Sequence, residues 1–196
     1  MKESFDKIRN DILNDFDCEL KDNAKNLVFG EGNSQSDILC VGEAPGKEED
    51  LTGIPFIGES GRNLNKNLSK IELSLNDFYI TNLVKYRTQN NRKPKISEIK
   101  RYAPFLIRQI KSMKPKIIIP LGLVSSKFCL NGFNTTGLDK IAGMDDIHGK
   151  IFEIKFEKET YKIFPMYHPS SNVSSKIRKQ GFVDDFIKLK EILENL

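Results

Sequence analysis

Helical spacing of apolar residues predicts an amphipathic helix near the N-terminus, within 3–17. Phe5, Ile8, Ile12 and Phe16 recur there at the separations that place side chains on one helical face. The same period predicts further helices over 62–73, after an N-cap at Ser97, over 123–131, and from Phe182 to the end of the chain.

Three short segments are apolar without interruption and are therefore expected to be buried strands. They read DILCVGE (37–43), FYITNLV (78–84) and KPKIIIPLG (114–122). Later, KIFEIKFE and TYKIFPMYH alternate like a hairpin or a strand pair. Continuous apolar strands between helices are typical of a parallel sheet covered on both faces. We predict an α/β fold, a three-layer α/β/α sandwich around a mostly parallel, about four-stranded sheet, in one domain over 1–196.

Composition narrows the class of protein without deciding its function. The 196 residues carry a net charge of only +4, so charge alone does not indicate nucleic acid. The N-terminal residues are too charged for a signal peptide, and no apolar run is long enough for a membrane span. The three cysteines are scattered and lack metal-ligand spacing. We expect a cytoplasmic protein that acts as a monomer, away from membranes.

The segment VGEAPGKEED (41–50) follows the first strand and looks at first like a phosphate-binding loop. Gly42 and Gly46 are one residue too close for that pattern, and Glu48 occupies the position of the required hydroxyl. The acidic residues behind it would repel phosphate. Ligands of parallel sheets bind at the carboxyl ends of the strands, where GEAPG, Asn82, Gly122 and His168 are all expected.

The wider stretch GEAPGKEEDLTGIPFIGESGRNL (42–64) resembles the first motif of the family-4 uracil-DNA glycosylases. The segments FGEGN, YITNLVKYR, NNRKPKISEI and FPMYHPSS match other parts of that family in the expected order. The resemblance covers nearly the whole chain. It implies an enzyme that flips uracil out of DNA and hydrolyses its N-glycosidic bond, leaving an abasic site for base-excision repair.

The resemblance also implies roles for individual residues. Glu43 and Ala44 would line the uracil pocket, and Phe56 would stack on the base. The side-chain amide of Asn82 would pair with the edge of uracil and refuse cytosine. His168 would donate to uracil O2, where negative charge develops, and His168 and Glu43 are the catalytic candidates. His148, in DDIHGKIF, is expected to lie in a turn and matches no functional position.

DNA contacts are expected from backbone amides, from the late loop and from two basic runs, namely the basic loop KYRTQNNRKPK (85–95) and SSKIRK (174–179). A lysine-rich solvated surface is the alternative interpretation of each basic run. The candidate DNA-binding residues are Gly58, Gly61, Arg87, Arg92, Ser170, Ser171, Lys176 and Arg178.

The family commonly holds a four-iron, four-sulfur cluster on four cysteines, and this sequence departs from that pattern. Only Cys18 matches a ligand position, since the other three fall on Asp15, Tyr86 and Tyr102. One thiolate cannot hold such a cluster, so we expect no cofactor and no metal site. Packing of the two tyrosines with the N-terminal helix would fill the space.

Two other functions remain open at this point. One alternative is a uracil-DNA or lesion-DNA binding protein that has no turnover. The other is a glycosylase that removes another deaminated base, such as hypoxanthine. Release of free base from an oligonucleotide separates an enzyme from a binding protein.

Overall fold

The structure is a computed structural model that describes residues 3–14, 16–170 and 176–195. Asp15, Ser171 and the side chain of Lys176 lie outside the described part, and so do the predictions made for them. Within this part, no helix is both long and apolar enough to cross a bilayer.

The described residues form eight α-helices and six β-strands. The helices are α1 (Phe5–Asn14), α2 (Glu19–Asp22), α3 (Lys47–Thr52), α4 (Glu59–Ser69), α5 (Ile96–Met113), α6 (Leu123–Leu130), α7 (Met144–Ile147) and α8 (Lys176–Glu194). The strands are β1 (Glu31–Gly32), β2 (Ile38–Gly42), β3 (Tyr79–Asn82), β4 (Ile117–Pro120), β5 (Phe152–Phe156) and β6 (Glu159–Ile163).

The strands form one sheet in the order β1-β3-β2-β4-β6-β5. The four central strands are parallel, whereas β1 and β5 pair antiparallel at the two edges. The α/β class and the mostly parallel sheet are confirmed, but the expectation of about four strands is wrong. The two-residue strand β1 is too short to show a pattern, and the predicted hairpin of β5 and β6 joins the main sheet through β6.

The sheet separates two hydrophobic cores. Along β2, Leu39 and Val41 belong to one core and Cys40 to the other, because successive side chains of a strand point to opposite faces. The first core is covered by α1, α5 and α6, and the second by α4 and α8. Helices therefore lie on both faces, which leaves the carboxyl edge of the parallel strands open to ligands.

Two local features differ from the sequence predictions. The long helix α5 begins at Ile96, after Lys95, so the N-cap predicted at Ser97 is wrong. The Glu98 carboxylate instead accepts the Lys95 backbone N–H at 2.6 Å, which satisfies one unpaired amide of the first turn. The segment after GEAPG contains the short helix α3, which was not predicted because six residues show too little periodicity.

Candidate active site

A cavity of about 630 Å³ opens at the carboxyl edge of the sheet. The ends of β2 and β3 contribute Glu43 and Asn82, and the segments that follow β4 and β6 contribute Gly122 and His168. The Gly122 N–H donates to the Met166 carbonyl at 2.8 Å, which holds these last two segments together beyond the strands. The sequence-predicted residues Glu43, Ala44, Phe56, Asn82 and His168 all line this cavity.

Gly42 lets an amide and an aromatic ring meet at the base of the cavity. A Cβ atom at this position would lie 2.3 Å from the Asn82 Oδ1 atom and 2.5 Å from the Phe56 Cζ atom. Neither distance is tolerated between non-bonded heavy atoms. The first glycine of GEAPG is therefore required by the close approach of these two side chains, which the sequence assigns to base reading and base stacking.

Phe56 has a backbone conformation that is rare outside glycine. Its φ angle is 55°, in the left-handed region. Gly61, in the first turn of α4, approaches it so closely that a Cβ atom there would lie 1.6 Å from the Phe56 carbonyl oxygen. This contact explains the glycine at 61 without DNA. Strained backbone of this kind clusters at ligand sites, where the surroundings hold it in place.

The N-terminus of α4 is already occupied by a carboxylate from α3. The backbone N–H of Gly58 donates to Glu49 Oε1 at 2.9 Å, so the amide expected to contact a phosphate is engaged within the protein. The exposed Glu48 is paired with Arg62 at 2.9 Å. The acidic residues behind GEAPG therefore fix α3 against α4.

Burial shifts the pKa values of Glu43 and His168, which both line the cavity. Burial raises the pKa of Glu43 above its ordinary value, and the nearby Lys93 opposes this shift. Burial lowers the pKa of His168, which makes its neutral imidazole the dominant form at neutral pH. Its ring packs over Gly122, where a Cβ atom would lie 3.3 Å from His168 Cδ2. A neutral imidazole still donates one N–H to a developing anion.

His168 is held from two sides by residues that sequence reasoning missed. On one side, Asn63 of α4 donates its Nδ2 to the Pro169 carbonyl at 2.9 Å. On the other, the Tyr167 N–H lies 3.3 Å from the fully buried Asp185 carboxylate, whose other oxygen is 2.8 Å from His148 Nδ1. His148 therefore has an anchoring contact, which a turn position in the sequence did not indicate.

The candidate DNA contacts from the basic loop occupy different positions. Arg92 lines the cavity but is paired with Glu98 at 2.8 Å, and Arg87 donates to Asn91 at 2.7 Å. Lys93 also lines the cavity and was not among the predicted site residues, although it lies in the same basic run. This basic run therefore places positive charge at the rim of the cavity, although Arg87 and Arg92 also make contacts within the protein.

A second groove, of about 450 Å³, continues from the cavity between α4 and α8. It shares Glu59, His168 and Ser170 with the cavity. The sequence did not indicate this groove, because its cations come from two helices that are distant along the chain. Its basic residues are Arg62, Lys66, Lys70, Arg178 and Lys179.

We call Phe16, Cys18, Tyr86 and Tyr102 the aromatic corner. The rings of Tyr86 and Tyr102 are 6.4 Å apart between centroids, and Phe16 packs edge-on against Tyr102 at 4.9 Å. Cys18 is buried in the same core. Among the described residues the buried Tyr102 hydroxyl makes no hydrogen bond of ordinary geometry, and its polar neighbour is the Cys18 thiol, which is only a weak donor and acceptor. One thiol and two phenol rings do not fit a four-iron cluster, which needs thiolate ligands.

Comparison with known proteins identifies the family. The profile of the Uracil DNA glycosylase superfamily matches residues 29–190. The chain is 34% identical over 190 residues to a type-4 uracil-DNA glycosylase of Archaeoglobus fulgidus, covering 97% of this chain and 94% of that protein. It is 37% identical over 194 residues to the type-4 uracil-DNA glycosylase of Saccharolobus solfataricus, covering 98% and 88%.

A third relative shows the same level of similarity. The type-4 uracil-DNA glycosylase of Thermotoga maritima is 35% identical over 182 residues, covering 90% of this chain and 88% of that protein. The first two relatives match nearly the whole chain, and the superfamily profile covers residues 29–190. The chain therefore belongs to the uracil DNA glycosylase superfamily.

Proposed function

We propose that the chain removes uracil from DNA by hydrolysing the N-glycosidic bond, which leaves an abasic site for base-excision repair. Its relatives named type-4 uracil-DNA glycosylases are 34% to 37% identical over nearly the whole chain. The observation that carries the proposal is the single cavity lined by Glu43, Phe56, Asn82 and His168. These four side chains supply a water contact, a stacking surface, a base-reading amide and an electrostatic donor.

Uracil recognition is assigned to Phe56 and Asn82. A flipped base needs a closely fitting pocket with a stacking surface, and the Phe56 ring lies against Gly42 beside the Asn82 amide. The amide donates to uracil O4 and accepts from N3–H. Cytosine presents a donor and an acceptor in the opposite arrangement, so it would leave both amide atoms unpaired.

Bond cleavage is assigned to His168 and Glu43. As the C1′–N1 bond breaks, the bonding electrons move to uracil and the sugar acquires oxocarbenium character. An N–H of the neutral His168 imidazole stabilises the negative charge at O2. Water then adds to C1′. Since Glu49 is bonded to Gly58 and Glu48 to Arg62, we assign the orientation and deprotonation of this water to Glu43.

DNA is held by the cations at the rim of the cavity and in the groove between α4 and α8, and by hydroxyl groups of the late loop. The candidates derived from the sequence are Arg87, Arg92, Ser170, Ser171, Lys176 and Arg178. Of the glycines proposed for phosphate binding, Gly58 has its amide committed to Glu49 and Gly61 is packed on Phe56. We further propose that the chain works without an iron–sulfur cluster, because the aromatic corner has the wrong ligands. A monomeric state and a cytoplasmic location stay predictions.

The test is release of free base from labelled oligonucleotides. Uracil opposite adenine, uracil opposite guanine and uracil in single strands are compared with hypoxanthine in the same contexts. We expect free uracil and an abasic site, with little release of hypoxanthine. Tight binding without release would identify a binding protein, and preferred release of hypoxanthine would identify a glycosylase for another base. Either result contradicts the proposal.

A further inference from the structure

Lys85 is a lysine with no solvent exposure, three residues beyond Asn82. Its Nζ atom has three partners, namely the Thr81 hydroxyl at 2.6 Å, the Asn82 backbone carbonyl at 2.9 Å and the Gln109 Oε1 at 2.7 Å. Lysine is among the residues least often fully buried. The side chain therefore needs an explanation beyond the filling of space.

The partners indicate that Lys85 is a charged ammonium. The Thr81 hydroxyl donates its own hydrogen to the Phe29 carbonyl at 2.7 Å, so it accepts from Lys85. The Asn82 carbonyl and the Gln109 Oε1 can only accept, which gives three acceptors for three N–H groups. Burial lowers the pKa of Lys85, and these three bonds act against that shift by favouring the charged form.

No carboxylate pairs with this ammonium in the part of the chain that the structure describes. A buried charge without an opposite charge is costly to the fold even when it is hydrogen-bonded. The Phe29 ring, with its centroid 6.0 Å from Nζ, provides only a weak attraction. Costly buried charges of this kind cluster at functional sites.

The Lys85 ammonium contacts the backbone that shapes the uracil pocket. Its bond to the Asn82 carbonyl fixes the peptide that joins Asn82 to Leu83. The N–H of that same peptide donates to the Gly42 carbonyl at 3.0 Å. Gly42 is the residue on which the Asn82 amide and the Phe56 ring meet. One hydrogen-bonded path therefore joins the buried cation to both walls of the pocket.

Helix α5 provides the rigid support for this path. Gln109 lies on α5, and its Nε2 atom is 3.3 Å from the Phe29 carbonyl, which also accepts from Thr81. The ammonium is thus held between α5 and the end of β3. It can shift only if a buried polar network shifts with it.

We propose that Lys85 is a positioning residue that holds the end of β3 so that the Asn82 amide faces the edge of the flipped uracil. This inference rests on the proposed function. Lys85 touches no substrate and acts through Asn82. Its contribution should therefore appear in the rate of bond cleavage and in the choice of base, with little effect on DNA affinity, which phosphate contacts dominate.

The experiment compares Lys85→Met with the unaltered protein, because methionine has similar length but no N–H groups. Single-turnover excision of uracil is measured over a range of enzyme concentrations, which gives a maximal rate and a half-saturating concentration. We expect the maximal rate to fall by about 10- to 100-fold, the scale of a small misplacement of a reactive group. The half-saturating concentration should change by less than about 2-fold, since the phosphate contacts are untouched.

A double-mutant comparison separates positioning from general damage. In an Asn82→Ala background, Lys85→Met should cause no further loss of maximal rate, because the side chain through which it acts is gone. Ser112→Ala is the matched control. It removes another buried polar side chain one turn beyond Gln109 on α5, and it should leave the maximal rate unchanged, because its hydroxyl donates to the Glu3 carbonyl and not to the Lys85 network.

Three outcomes would overturn the inference. They are a folded Lys85→Met protein with the unaltered maximal rate, an equal loss in the Asn82→Ala background, and a loss matched by Ser112→Ala. If Lys85→Met does not fold, Gln109→Met removes one of the three acceptors and must show a smaller loss that also vanishes without Asn82. If the unaltered protein releases no uracil, the proposed function fails instead, so the two failures are distinguishable.

Discussion

The cavity and the aromatic corner are two neighbouring regions built on opposite requirements. At the cavity, Gly42 and Gly61 permit approaches that a single added carbon atom would prevent. At the aromatic corner, Phe16, Tyr86 and Tyr102 meet at ordinary ring distances. The first region tolerates almost no change in shape, whereas the second can be filled by any side chains that pack well.

This difference distinguishes the cavity, where we expect the chemistry, from the aromatic corner, where we expect a contribution to stability. At the cavity, Glu43, Asn82 and His168 are polar side chains that are half-buried or buried and line an open space. The residues of the corner contribute packed apolar surface, and the one buried polar group that makes no hydrogen bond of ordinary geometry among the described residues is the Tyr102 hydroxyl. We therefore expect substitutions in the cavity to change rates and substitutions in the corner to change the free energy of unfolding.

The largest expected effect is that of His168→Ala. Negative charge appears on uracil O2 only as the bond breaks, so a donor aimed there stabilises the transition state more than the bound substrate. Single-turnover excision should fall by about 10²- to 10³-fold, the scale of one lost electrostatic donor. Affinity for uracil-containing DNA, measured by fluorescence anisotropy, should change much less.

His148→Ala is the comparison variant for His168→Ala, although it is not a silent one. His148 holds Asp185, which accepts the Tyr167 N–H next to His168, so we expect a smaller loss of rate with unchanged DNA affinity. Equal losses in the two variants would contradict the catalytic role of His168. So would a His168→Ala protein that loses binding and excision together.

The central strands and the residues that line the cavity were predictable from the sequence. The apolar runs placed β2, β3 and β4, and the family resemblance brought Glu43, Phe56, Asn82 and His168 together at one cavity. The sequence did not predict two short elements, β1 and α3. The short strand β1 and helix α3 contain too few residues for a periodic signal.

Contacts between distant segments were not readable from the sequence. The bond from Gly58 to Glu49, the pair of His148 with Asp185, and the buried network of Lys85 depend on how elements pack. No local pattern reports whether a lysine side chain points into the protein or into water. The sequence therefore pointed to the residues that line the cavity, and the structure adds those that hold them in place.

The second prediction concerns the pH dependence of excision. Because burial raises the pKa of Glu43, its carboxyl group stays protonated to a higher pH than an exposed glutamate. If the carboxylate orients and deprotonates water, excision should fall as the pH drops through this raised pKa and recover above it. Glu43→Gln should lower the rate at neutral pH by about 10²-fold and remove this acidic limb.

The measurement is the single-turnover rate against pH for both proteins under identical salt. His168 does not produce the same limb, because its pKa is lowered and its protonated form would still donate to O2. A Glu43→Gln protein that keeps the acidic limb would assign the limb to another group. In that case the water is held elsewhere in the cavity.

The third prediction concerns the salt dependence of DNA binding. Lys93 lines the cavity and Lys66 lines the groove between α4 and α8. If each neutralises one phosphate, replacing either with alanine should flatten the slope of log affinity against log salt by about 0.7 to 0.9. Affinity is measured by anisotropy at several salt concentrations.

A matched surface lysine provides the control for salt dependence. Lys114 lies just before the amino end of β4, whereas the cavity lies at the carboxyl ends of the strands. Its side chain is exposed beside Glu159. Lys114→Ala should leave the slope unchanged. Arg92→Ala is less informative, because its pair with Glu98 supports the start of α5. An unchanged slope for Lys66→Ala and Lys93→Ala would mean that these lysines are only a solvated surface.

The smallest effects on excision are expected in the aromatic corner. The purified protein should be colourless and free of stoichiometric iron, since Cys18 is the one cysteine among the four matched ligand positions.

Cys18→Ala should change excision by less than about 2-fold and cost about 1 kcal/mol of unfolding free energy, because it only removes a buried sulfur atom. Tyr102→Phe should keep or raise the melting temperature, since it deletes a buried hydroxyl that makes no hydrogen bond of ordinary geometry among the described residues. Iron and sulfide in fixed ratio after anaerobic purification, lost together with folding in Cys18→Ala, would show instead that the corner holds a cofactor.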